Sequence, residues 1–175
     1  MTNQAMTPTA PGGIGHEVTG SATRGMRFLA VVDGSERTNR IVDFVAAIAQ
    51  GKDNVEAIIL NVQDRHYEAR LRGYQSFKKD EIEDRLINDV GLPIVNGVAK
   101  RLGKAGIVCL SKVKIGDPLP IILRCAAEDR CDVIVLADPQ PQYMRRWIRT
   151  MGLPLVSALI ARVIAAALVP VVVVK

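Results

Sequence analysis

Five short aliphatic runs constrain this chain more than any other feature. Residues 27–32 (RFLAVV), 55–62 (VEAIILNV), 107–115, 132–136 (DVIVL) and 171–174 (VVVV) all have strand length and are rich in aliphatic residues. Between them lie longer stretches with helical spacing. A hairpin needs only a short turn, whereas spacers of helix length are what parallel strands require. The pattern therefore predicts an α/β fold: an open parallel sheet with right-handed crossovers and helices on both faces. Composition agrees, because 49% of the 175 residues are hydrophobic but only 4% are aromatic, leaving Val, Ile, Leu and Ala to fill the core.

The spacers carry their own signals. Asp33-Gly34-Ser35 ends the first run with turn chemistry, and Ser35 suits the N-cap of a helix. In that helix Ile41, Phe44, Val45 and Ile48 recur on one side, and Gly51 closes it. Residues 63–77 form a polar connection holding His66, Tyr67 and Tyr74. Residues 78–103 are charged and then amphipathic, with Ile82, Leu86, Ile87 and Val90 as a stripe; Pro93 is expected to kink or divide the helix. Asp117 and Pro118 mark the start of a helix over 119–129.

The last thirty residues allow two readings. Basic residues beside Trp147, followed by a long apolar stretch, resemble a membrane anchor. A spanning helix needs about twenty uninterrupted residues. Arg162 would sit mid-span at roughly 2.5–3.5 kcal/mol, Pro170 would break the final turn, and consecutive valines end a helix poorly. The expected outcome is a covering helix starting at Pro154, with Val156, Leu159, Ile160, Val163, Ile164 and Leu168 as its core stripe, and then a buried strand.

Other classes are weakly supported. The formal charge of +5 is scattered among acids, so no nucleic-acid partner is expected. Cys109, Cys125 and Cys131 are odd in number and lack metal or disulfide spacing, which suggests reduced, mostly buried thiols. Residues 1–25 lack the basic start and apolar run of a secretory signal and read as a disordered tail before a domain over 26–175. A Ser35–His66–Asp33 triad is conceivable, but no Gly-x-Ser-x-Gly elbow accompanies it. No catalytic residue and no metal ligand is assigned.

Residues 26–175 resemble the universal stress protein domain. RFLAVVDGSE, AIILNV, KIGDPLPIIL, DVIVLA and VPVVVVK carry the resemblance by their order and spacing. It implies a Rossmann-like sheet, of the adenine nucleotide alpha hydrolase type, in the order 3-2-1-4-5. It also implies a cytoplasmic homodimer paired through Val171–Val174, an edge that needs a cover on physical grounds as well. Ligands of such sheets sit at the carboxyl ends of the first and fourth strands. ATP-binding members use the Asp of the first turn and the end of the second strand, here Asp33, beside Gly34 and Ser35, and Val62. Asp33 also has a purely structural reading, as the cap of its turn.

The phosphate loop departs from the family. ATP-binding members carry Gly-x2-Gly-x9-Gly-Ser or -Thr, whose glycines bring backbone amides to the phosphates. This chain has Ala137-Asp138-Pro139-Gln140, a longer intervening loop, and Ser157-Ala158 at the second pair. In the loop, Arg145, Arg146 and Arg149 surround Trp147. Four readings stand: arginines replacing the lost amides as an anion site, a lid with Trp147 filling the crevice, a contact for a partner or anionic membrane, and a solvated loop. The Ser-Gly-Gly-x-Asp-Ser loop of adenylating enzymes is missing from VVDGSE. The expectation is a stress-response binding or regulatory module, not an enzyme, with no cofactor; the alternatives are binding of ATP or another adenine nucleotide, and a membrane-associated subunit.

Overall fold

The computed structural model describes residues 25–63, 79–138 and 158–175. Expectations for the tail, for the connection with His66, and for Pro139, Arg145, Arg146, Trp147, Arg149, Pro154, Val156 and Ser157 lie outside those residues.

The chain runs β1 (Arg27–Val31), α1 (Glu36–Ala49), β2 (Glu56–Gln63), α2 (Lys79–Arg85), a π-helical turn (Leu86–Gly91), α3 (Leu92–Lys104), β3 (Val108–Ile115), α4 (Pro118–Glu128), β4 (Val133–Ala137), α5 (Ala158–Ala166) and β5 (Val171–Val174). All described pairings are parallel and the order is β3-β2-β1-β4-β5. The predicted class and strand order are both found.

Alternation along the strands divides the core in two. Phe28, Ala30, Ala57, Ile59, Val133 and Val135 face α1 and α3 together with Val45, Val95 and Leu102. Leu29, Ile58, Leu60, Ile134 and Leu136 face α4 and α5, meeting Ile122, Ile160 and Val163. Each large aliphatic side chain so buried stabilises the fold by roughly 1.5–3 kcal/mol relative to exposure. Cys125 and Cys131 are buried and Cys109 partly so, all as free thiols.

Three local outcomes refine the expectations. The long amphipathic helix is divided, but by a π-turn ending at Gly91, with Pro93 in the first turn of α3. The wider turn advances the helical phase, so Val90 is exposed while Gly91 faces the sheet. There a β-carbon would lie 2.4 Å from Val113 Cγ1. The first helix ends as read, with Gly51 at φ +70° just beyond it. The last helix is corrected: Ile160 and Val163 are buried, but Ile164 and Leu168 are exposed. Leu168 lies past the helix end at Ala166, and Ile164 follows Val163 by one residue, about 100° further round.

Candidate functional site

The sheet reverses its winding between β1 and β4. Their register pairs Phe28 with Val133 and Ala30 with Val135, and the same offset carries Asp33 to Asp138 just beyond the strand ends. The crest of the sheet therefore places the first turn beside the segment after β4, where such folds bind ligands.

The first turn is built around one carboxylate. Asp33 Oδ1 accepts from the Ser35 backbone N–H (3.0 Å), the Ser35 hydroxyl (2.6 Å) and the Thr38 hydroxyl (3.2 Å). Oδ2 accepts from the Arg37 guanidinium at 2.9 Å. Partial burial is the largest single influence and raises the pKa of Asp33, but the Ser35 and Arg37 bonds together outweigh it, leaving the group below the ordinary carboxylate value. Ser35 does stand at the N-cap in extended geometry, but its hydroxyl makes no cap bond; it donates to Asp33 instead. Thr38 closes the turn from the helix side, accepting from the Gly34 N–H at 3.1 Å. By contrast Asp117 caps α4 as read, accepting from the Leu119 N–H at 3.1 Å.

A cleft of about 190 Å³ opens at this crest, with Asp33, Val62, Pro118, Leu136, Ala137 and Leu159 among its described lining. Its floor is aliphatic and Asp33 is the ionisable group in that lining. Asp33 and Val62 are thus brought to one cavity, while Gly34 and Ser35 line a separate groove of about 500 Å³ between α1 and α3. That groove is larger, but it lies between helix exteriors, whereas the smaller cleft holds the carboxylate at the switch point.

Three residues outside the sequence-based site prove central. Thr38 and Arg37 bind Asp33 directly. Asn61 is buried; its Nδ2 donates to the Val32 carbonyl at 2.7 Å and its Oδ1 accepts from Gln63 at 2.6 Å, tying the ends of β1 and β2 together. The signal for Asn61 was an amide inside the otherwise apolar run AIILNV. On the other side of the crest Asp138 is buried and its backbone N–H donates to the Val174 carbonyl at 3.0 Å. Among the described residues no cluster of metal-ligating side chains occurs, and no helix is long and apolar enough to cross a membrane.

Sheet order and strand register define a Rossmann-like α/β domain. The model of the universal stress protein family matches residues 26–175, and the chain belongs to that family. Its fold is similar to that of universal stress protein UspA from Lactobacillus plantarum (TM-score 0.62, 18% identity, covering 87% of this chain and 99% of that one). It also resembles the universal stress protein of Archaeoglobus fulgidus (TM-score 0.60, 18% identity, 88% and 96% covered). A third relative is an Arabidopsis thaliana family member with AMP bound (TM-score 0.57, 16% identity, 86% and 91% covered). Other structures of the family hold dAMP and cAMP. No curated protein matches the chain by sequence.

Proposed function

We propose that the protein is a cytoplasmic, homodimeric regulatory module of the stress response that binds a small ligand at the crest of its sheet without the family's usual ATP grip. The observation that carries this reading is the contrast across the crest. On the β1 side Asp33 stands ready in an apolar cleft. On the β4 side Ala137 and Asp138 stand where ATP-binding relatives open a glycine loop, and the Asp138 amide is engaged by β5. A strand-bound amide has nothing to offer a polyphosphate.

The second reading is a nucleotide-binding protein whose loop arginines have replaced the glycines. It is favoured by Arg145, Arg146 and Arg149 in the sequence and by the adenine nucleotides bound to structural relatives.

One experiment separates the two. The purified protein is denatured, released small molecules are identified, and the native protein is titrated with ATP. The first reading expects no ATP and no saturable titration. Tight ATP binding, lost in both Asp33→Ala and Arg145→Ala, would install the second.

A further inference from the structure

We infer that the open edge of β3 takes up an extended segment of another protein as a sixth strand, and that this segment carries an acidic side chain opposite Lys114. The inference does not rest on the crest as a ligand site.

β3 ends the sheet on one side, and its eight residues pair one-to-one with β2 over their whole length. Just past the end of that ladder the Gly116 N–H donates to the Gln63 carbonyl at 3.0 Å. Alternation therefore turns the N–H and C=O groups of the even positions of β3 toward β2. Those of Cys109, Ser111 and Val113 point along the edge, where no described residue bonds them. Natural sheet edges are blunted by brevity, proline, a bulge or charge. β3 is long, its sequence VCLSKVKI has no proline, and its register shows no bulge.

Side chains along the edge are divided between the two faces. Cys109 and Val113 pack against the layer of α1 and α3. Val108, Leu110, Lys112 and Lys114 alternate onto the face of α4, which leaves Val108 68% and Leu110 50% exposed. Further along, the Asp129 carboxylate accepts from Lys112 Nζ at 2.6 and 2.8 Å. Lys114 is exposed and pairs with no described acid. At two-residue spacing the edge thus presents two apolar side chains, a cation already engaged and a cation still available.

That order selects the occupant. A second copy paired through the same strand brings no acid, because VCLSKVKI contains none. A foreign strand with an acid at one end and two apolar residues, four and six positions away, meets every open group at once. Its backbone satisfies the outward amides and carbonyls, its apolar pair covers Val108 and Leu110, and its carboxylate faces Lys114.

The test is titration of the full chain, followed by nuclear magnetic resonance, with two peptides that present this pattern in the two strand directions. They are Ser-Glu-Ser-Thr-Ser-Ile-Thr-Val-Ser and Ser-Val-Thr-Ile-Ser-Thr-Ser-Glu-Ser. In the free protein the amides of Cys109, Ser111 and Val113 should exchange quickly with solvent, while those of Leu110, Lys112 and Lys114 are protected. One of the peptides should bind saturably at low salt and slow the first three amides by about tenfold or more. Replacing its Glu by Lys should weaken binding about fivefold, and Lys114→Glu should invert that preference. Leu110→Lys should abolish binding with the circular dichroism spectrum unchanged. No binding of either peptide, or equal binding of the Glu and Lys forms, overturns the inference. Protection of the three amides without peptide overturns it too. Constant protection means that this chain covers its own edge, and protection that rises with protein concentration means that a second copy does.

Discussion

Gly34 and Ile94 approach so closely that a β-carbon on Gly34 would lie 2.6 Å from Ile94 Cδ1. The first turn of α3 thereby presses on the back of the Asp33 turn, one residue from the carboxylate. Gly34 also sits at φ +76°, where a side chain costs about 1–2 kcal/mol before any clash.

Gly34→Ala should therefore destabilise the protein by more than the backbone cost alone. In an Ile94→Ala background the same substitution should cost less, falling toward that 1–2 kcal/mol. Urea unfolding of the four proteins measures the difference. Equal costs in both backgrounds would show that Ile94 does not hold the turn.

Asn61 offers a second check on the architecture of the crest. Its side chain is 1% exposed and bridges the Val32 carbonyl and the Gln63 amide. Asn61→Ala removes the bridge and takes the side-chain donor from the Val32 carbonyl. The expected loss is about 1–3 kcal/mol from the buried groups left unsatisfied. An exposed polar substitution such as Asn96→Ala should stay within about 0.5 kcal/mol. Denaturation midpoints that do not distinguish the two would refute the structural weight given to Asn61.

These two positions show what sequence could and could not supply. The order of elements was legible because five aliphatic runs alternate with helical stretches, and period alone separates them. The positions of Asp33 and Val62 at the crest were legible because they end the first and second runs. The partners of Asp33 were not. Ser35 reads as an N-cap by type, and nothing in DGSERT says that its hydroxyl will turn back to the aspartate, nor that Thr38 will take the Gly34 amide. Hydrophobic period also failed at Val90 and Leu168, where a π-turn and a helix end each shift the phase that the apolar pattern assumes. Such shifts depend on tertiary packing, here on Gly91 against Val113, which one segment cannot announce.

Acid should weaken the first turn. Partial burial pulls the Asp33 pKa upward, but the Ser35 and Arg37 bonds prevail and hold it below 3.8 in the folded chain. A depressed carboxylate contributes stability that is fully present above its unfolded pKa and disappears as pH falls through the folded value. The native protein should therefore exceed Asp33→Asn in stability near neutrality, and the gap should close only at pH below 3.8. Because Asp33 is half-accessible, solvent screening keeps the difference small. A gap that is unchanged into acid would mean that the carboxylate charge is not what the turn uses.

The homodimer proposed through β5 can be tested without disturbing the sheet. The Pro170 and Val174 carbonyls accept from Ile134 and Asp138, so even-numbered positions of β5 turn their backbone groups toward β4. By the strand's alternation the N–H and C=O groups of Val171 and Val173 point away from β4, along the edge. Proline is tolerated where its missing N–H would have faced outward. Val173→Pro should thus leave the ladder to β4 intact, and the variant should remain folded by circular dichroism. It should, however, remove a donor that a second copy needs for strand pairing, and elute as a monomer in size-exclusion chromatography with light scattering. Native protein that is already monomeric at micromolar concentration, or a Val173→Pro variant that remains dimeric, would place the edge of β5 outside any self-association.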